Sequence, residues 1–245
     1  MKIETTEKKP WRQIEFRIER FKPGRIDPPR FQSFRVAVDD QMSVLDGLEQ
    51  IRLRQDAGLM YRHSCHHSAC GTCACRINGV ERLACTTRIL SLNTETVVLE
   101  PLRGFPRLGD LVVEMTAFYR DIDPAWSLLT PAEPIHGAAD PAEDPSLRLE
   151  ACIECGCCVS SCPAAHRHAE FMGPAALAAL HRQMAKVDAA RQHDLLAAAA
   201  SPRGERLCER ALNCSRVCPT DVYPARHIAD LRRRAKASGT PPSLK

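Results

Sequence analysis

Thirteen cysteines stand in three groups along 245 residues. The first is Cys65, Cys70, Cys73, Cys75 and Cys85, the second Cys152, Cys155, Cys157, Cys158 and Cys162, the third Cys208, Cys214 and Cys218. Groups this dense point to thiolates gathered around metal. A disulfide framework would spread its cysteines through the fold, and the N-terminal stretch MKIETTEKKPWRQIEF carries Glu4 and Glu7 where an export signal is apolar. Cys152, Cys155, Cys158 and Cys162 before Pro163 follow C-x2-C-x2-C-x3-C-P. That is the spacing of an iron–sulfur run whose first three thiolates hold one cubane while the fourth reaches a second cluster. Cys65, Cys70 and Cys73 with the distant Cys85 follow C-x4-C-x2-C, the spacing of a plant-type [2Fe–2S] site. Zinc competes for four cysteines, but structural zinc takes its ligands as two short arms, whereas this set is three and one.

The third group repeats the iron–sulfur run with one substitution. Cys208, Cys214 and Cys218 before Pro219 match the spacing except at residue 211, which is Ala211. Crossing the fourth cysteine of each run to the other site gives Cys152, Cys155, Cys158 and Cys218 as one set and Cys162, Cys208 and Cys214 as the other. Four thiolates suit [4Fe–4S]. Three cannot ligate every corner of a cubane, so the simplest reading is [3Fe–4S]; a cubane with a water or other non-cysteine ligand is the alternative. Two cysteines are left over. Cys75 alternates with Cys73 and is expected to point away from the cluster, and Cys157 reads as a buried thiol behaving as a small hydrophobe. His63, His66 and His67 read as exposed loop residues, because four cysteines already complete the first set.

The elements that must hold these groups are legible in the periodicity. Ile14, Phe16 and Ile18 alternate with charged residues over 13–21, and Phe34, Val36 and Val38 alternate again after a turn at 22–29, which predicts a hairpin. Ser43 with Asp46 three residues on predicts a helix over 43–55. Residues 61–74 have no period and suit a loop around a cluster. Asn78-Gly79 predicts a tight hairpin with Cys85 on its return strand, and Val97 to Leu99 predict one more strand. A short helix is expected over 110–119. Five prolines between 124 and 145 predict a linker. Helices follow: an apolar stripe of Leu177, Leu180, Met184 and Val187 behind Pro174 reads as core, and Ile228 and Leu231 mark a last helix after Pro224.

Composition excludes several classes. The net charge is +4 and the basic residues are dispersed, so no nucleic-acid-binding stripe stands out. Arg232, Arg233, Arg234 and Lys236 read as a solvated helix end, where positive charge suits the helix dipole, rather than as a membrane patch. No stretch has the 18 or so apolar residues of a membrane span. A chain that stays in a prokaryotic cytoplasm is the expectation.

The segments RHSCHHSACGTCACRINGVERLAC, CIECGCCVSSCP and CERALNCSRVCP, in this order, closely resemble the iron–sulfur subunit of succinate dehydrogenases and fumarate reductases. The resemblance extends to FPRLGDLVVEMTAFY and FMGPAAL and covers nearly the whole chain. It implies an α+β protein: an N-terminal β-grasp, plant-type ferredoxin-like domain over 1–123, the linker over 124–145, and a C-terminal all-α bacterial-type ferredoxin domain over 146–245. It implies [2Fe–2S], [4Fe–4S] and [3Fe–4S] clusters, a flavoprotein partner carrying FAD and the dicarboxylate site, and a membrane anchor that binds quinone and often haem b. Single electrons would pass between flavin and quinone in the respiratory chain and tricarboxylic acid cycle, at the cytoplasmic face of a prokaryotic cell membrane. The chain would itself hold no catalytic acid, base or nucleophile. One departure concerns the quinone end. Family members that use ubiquinone have a tryptophan shortly after the proline matched by Pro163, and a histidine after the next cysteine; here 164–168 read AAHRH and Glu209 follows Cys208. A menaquinone-type or differently built anchor is the expectation, with His166 and His168 as candidate contacts. Competing assignments are an iron–sulfur subunit of glycolate oxidase or heterodisulfide reductase type, which lacks the N-terminal set in this arrangement, and a free multi-cluster ferredoxin carrier.

Overall fold

The computed structural model describes residues 11–123 and 151–238, so the expected linker at 124–145 lies outside the described residues. The chain forms two compact units: one comprises residues up to Pro101 together with Arg107–Val112, the other Leu102–Pro106 with the residues from Val113 on.

Among the described residues the first unit is built on a mixed five-stranded sheet with one α-helix. Strands β1 (Arg12–Lys22), β2 (Ile26–Val38), β3 (Ala74–Ile77), β4 (Val80–Leu83) and β5 (Thr96–Glu100) lie in the order β2-β1-β5-β3-β4. β1 pairs antiparallel with β2 and parallel with β5. The alternation of β1 has the expected consequence: Ile14, Phe16 and Ile18 are buried with Val36, Val38, Val97 and Leu99. Helix α1 (Val44–Arg54) begins at a capping box in which the Ser43 hydroxyl accepts from Asp46 N–H and the Asp46 carboxylate accepts from Ser43 N–H at 2.7 Å. It buries Val44, Leu48 and Ile51. Asn78 and Gly79 take φ of 50° and 79°, so the two-residue turn forms as its sequence requires, and Asn78 Oδ1 accepts from Val98 N–H at 2.7 Å, tying the turn to β5.

Three local expectations are corrected. The turn after β1 is confined to 23–25 and β2 already begins at Ile26, which opposes Lys22; the register shifts at Asp27, Pro28 and Pro29 before Arg30 opposes Arg20. β4 ends at Leu83, which leaves Cys85 in the turn beyond the strand. Residues 110–115 are not helical. After β6 (Arg107–Gly109), a turn at 110–111 and β7 (Val112–Val113) occupy that stretch, and helix α2 spans only Thr116–Tyr119. The buried Asp110 carboxylate is the cause: it accepts from Phe21 N–H at 2.9 Å and Met60 N–H at 2.8 Å and pairs with buried Arg20 at 3.1 Å. Three tertiary partners outweigh a local helix, and the same contacts hold Met60 at the entrance of the cysteine loop.

The second unit is helical. Short helices α3 (Cys157–Ser160) and α4 (Pro163–Arg167) lead into α5 (Gly173–Met184), then α6 (Ala189–Ala199), α7 (Asn213–Arg216) and α8 (Pro224–Ala237) follow. The expected stripe is core: Leu177, Leu180 and Met184 pack with Leu195, Leu196, Ile228 and Leu231, and Val187 is partly buried against them. α5 is buried on almost every face because its alanines let α6 and α8 approach closely. Arg232 is drawn down from the expected solvated end, pairing with buried Glu205 and donating to the Cys208 carbonyl at 3.2 Å; Arg233 pairs with Asp230. Among the described residues no helix is long and apolar enough to cross a membrane.

Candidate metal centres

In the first unit the loop between α1 and β3 wraps its backbone around sulfur. Cys65 Sγ accepts from the N–H groups of His67 at 3.5 Å, Ala69 at 3.3 Å and Cys70 at 3.4 Å. Donors aimed at one sulfur favour its anionic form, and they lower the Cys65 thiol to about 7, with the His67 amide the largest cause. Positive φ at His66, Ser68 and Gly71 curls the loop inward. Cys70 Sγ lies 3.2 Å from Thr72 Oγ1. Cys73 and Cys85 are neighbours across the turn after β4: burial and the adjacent Cys85 push the Cys73 thiol up to about 12. Cys75 is fully buried in β3 and its thiol is also raised by burial. His66 and His67 are exposed, as read from sequence, whereas His63 is half-buried.

The second unit brings the two C-terminal runs together in the crossed arrangement. Cys152, Cys155, Cys158 and Cys218 line one cavity with Phe118, Ala178 and Val222. Cys162, Cys208 and Cys214 line another, larger one with Ala211, Ile228 and Arg232. Burial, followed by the neighbouring Cys155 and Cys218, pushes the Cys152 thiol up to about 12; burial with Cys162 and Cys208 does the same to Cys214. Cys158 is raised further, and Cys162 is raised by burial with Cys208 beside it. Crowded buried thiols resist deprotonation unless cations sit among them, so the donor chemistry fits iron–sulfur clusters, whose iron supplies that charge. Cys155 is the exception, lowered chiefly by a hydrogen bond from the fully buried Cys157 thiol. That assigns Cys157 a partner role the sequence did not reveal.

The polar partners near these runs are also new. Tyr119 Oη donates to Glu154 Oε2 at 2.7 Å, and the Ser160 hydroxyl accepts from Arg103 N–H at 2.8 Å. Asn213 Nδ2 donates to the Ser161 carbonyl at 3.1 Å, linking one run to the other. Val222 N–H donates to Cys218 Sγ at 3.3 Å. Of the two candidate quinone contacts, His166 Nε2 donates to the Ser160 carbonyl at 2.7 Å and His168 sits 4.0 Å from Glu209. Among the described residues neither lines the larger cavity, whereas Glu209 and Arg210 do.

Two family models match the chain: a 2Fe-2S iron-sulfur cluster binding domain over residues 15–120 and a 4Fe-4S dicluster domain over 148–222. The fumarate reductase iron-sulfur subunit of Mycobacterium tuberculosis is 33% identical over 222 residues, covering 87% of this chain and 89% of that one. The succinate dehydrogenase iron-sulfur subunit of Coxiella burnetii is 34% identical over 228 residues, covering 89% and 95%. A chain of the Mycobacterium smegmatis Sdh1 complex in the apo form superposes with a TM-score of 0.74 at 24% identity, over 96% of this chain and all of that one, and so shares the fold.

Proposed function

Since the chain belongs to the family of iron–sulfur subunits of succinate dehydrogenases and fumarate reductases, we propose that eleven of its cysteines build three successive redox stations inside such a complex. Its function is electron transfer, with [2Fe–2S], [4Fe–4S] and [3Fe–4S] as cofactors. Cys65, Cys70, Cys73 and Cys85 hold the first, Cys152, Cys155, Cys158 and Cys218 the second, and Cys162, Cys208 and Cys214 the third. The observation that carries the assignment is the pair of cavities, each lined by thiols from both C-terminal runs. The family-model matches at 15–120 and 148–222 support a division into residues 1–123, a linker over 124–145 and residues 146–245.

Bound clusters supply one-electron redox capacity, which lets two-electron flavin chemistry be matched to stepwise reduction of a quinone. The protein's own groups set the conditions. Amides of His67, Ala69 and Cys70 stabilise negative charge on Cys65 and so favour the reduced state there. Val222 N–H does the same at Cys218. Apolar side chains, Phe118, Ala178 and Val222 at the second set and Phe171 and Ile228 at the third, limit the contact of water with the thiolates. On this reading the partners are an FAD flavoprotein and a quinone-binding membrane anchor, and the chain is peripheral on the cytoplasmic face of a prokaryotic membrane.

Electron paramagnetic resonance of the anaerobically purified protein tests the assignment. A signal from [3Fe–4S] is expected in the oxidised state and a [2Fe–2S] signal on reduction. Zinc as the sole metal would overturn it.

A further inference from the structure

Outside the thiolate sets, one other group of metal-competent side chains converges among the described residues. It joins Glu49 on α1 to His63 and His66 on the cysteine loop. His63 Nδ1 and His66 Nε2 lie 3.2 Å apart, and each is 3.7 Å from Glu49 Oε1. A tetrahedral zinc ion, with nitrogen and oxygen ligands at about 2.0–2.2 Å, spaces its ligand atoms roughly 3.3 Å from one another. The three donors are therefore within a few tenths of an ångström of a coordination triangle before any ion enters.

The arrangement differs from a simple hydrogen-bonded cluster. A histidine pair sharing one proton accounts for the 3.2 Å contact, but it leaves the carboxylate oxygen equidistant from both nitrogens and beyond hydrogen-bond range of either. Three donor atoms within 3.7 Å of one another is the spacing of ligands. The rings are also held: Tyr61 stacks on His63 with centroids 5.4 Å apart and planes at 29°, and His66 meets His63 edge-on at 90°. The donor side chains are 30–43% exposed, which gives a cation a path from solvent and leaves one coordination position open. Two imidazoles with one carboxylate suit Zn²⁺, whereas Mg²⁺ and Ca²⁺ demand oxygen.

We propose that Glu49, His63 and His66 form a three-ligand Zn²⁺ site, distinct from the thiolate sets, with its fourth position open to solvent. His63 and His66 flank Cys65, so the ion ties α1 to the loop that carries this cysteine.

The test uses the full-length, cluster-loaded protein, freed of loosely bound metal by mild chelation and titrated anaerobically with Zn²⁺. Calorimetry reads binding, elemental analysis reads zinc and iron, and electron paramagnetic resonance reads the reduced [2Fe–2S] signal. One Zn²⁺ per chain should bind with iron content unchanged. Glu49→Gln and His63→Ala should each weaken binding at least about 100-fold, beyond the range typical of groups that merely support a ligand. Absence of saturable binding, equal affinity in Glu49→Gln, or zinc uptake matched by iron loss would each overturn the site. Should His63→Ala lose its cluster, Glu49→Gln, which alters only the helix, decides. A starting protein without the [2Fe–2S] signal would count against the electron-transfer assignment alone; zinc can then also enter the free thiols, so the difference between the native protein and Glu49→Gln, not the total uptake, reads these three residues.

Discussion

The two C-terminal cysteine runs share one local winding and differ in their cysteines. In the first, Glu154 and Gly156 take φ of 54° and 80°, and α3 starts at the next residue; in the second, Arg210 and Leu212 take 59° and 62°, and α7 starts at the next residue. Position for position, Cys155 therefore corresponds to Ala211. The same winding is present where residue 211 is alanine, so on the proposed assignment the number of ligands turns on a single side chain and not on a rebuilt loop. The runs also differ in how they tolerate left-handed backbone. A Cβ on Gly156 would come within 3.0 Å of Met115 Cε and 3.3 Å of Leu102 and Phe105, so glycine there answers both conformation and space. Leu212 is 49% exposed; its side chain has room, but its conformation costs roughly 1–2 kcal/mol.

The strongest test of this correspondence is ligand removal. Cys218→Ser lies in the second run but should abolish the [4Fe–4S] signal and spare the oxidised three-iron signal, while Cys162→Ser should do the reverse. Loss of the three-iron signal in Cys218→Ser would show that each run serves its own cluster. Ala211→Cys should restore the fourth ligand of the second run, convert the three-iron site to a cubane, extinguish the oxidised-state signal and lower the potential of that site. An unchanged oxidised signal would break the equivalence with Cys155.

A smaller effect concerns α5 and α8, the helices that follow the two runs and meet at a histidine pair. His181 Nδ1 and His227 Nδ1 are 2.8 Å apart and buried. Burial, then the adjacent His181, depresses His227 from 6.5 to about 4. A lowered histidine pKa means that the unfolded chain binds more protons. The contribution is therefore complete above pH 6.5 and falls away as pH drops towards 4, by roughly 3 kcal/mol at 1.4 kcal/mol per unit. Melting temperature followed by helical circular dichroism should decline over that window, and His227→Gln should flatten the decline. Gly156→Ala should destabilise the helical unit by about 1–3 kcal/mol through positive φ and crowding. Leu212→Gly should be neutral or stabilise by about 1 kcal/mol. Equal penalties for these two in thermal unfolding would mean that the runs are less alike than their dihedrals indicate.

Much of the first unit was legible because its signals are local. The alternation at Ile14, Phe16 and Ile18, the capping box at Ser43 and Asp46, and the turn at Asn78-Gly79 each report a conformation through neighbours a few residues away. The failures are non-local. A helix is expected over 110–119, but Asp110 is claimed by Arg20 and by the amides of Phe21 and Met60, far away in sequence. Arg232 looked like part of a solvated basic end until Glu205 and the Cys208 carbonyl drew it in. The Glu49, His63 and His66 triangle could not be foreseen either, because one member comes from a helix and two from an aperiodic loop.

The sequence alone determined the chemistry: the cysteine spacings mark an iron–sulfur protein, and Ala211 stands where the first run has a cysteine, because these are properties of residue type and short separation. Only the tertiary structure decided the surroundings. The walls of the two cavities, the Cys157 thiol against Cys155, and the amides turned toward Cys65 arise from packing and backbone direction, which the spacing of cysteines does not carry.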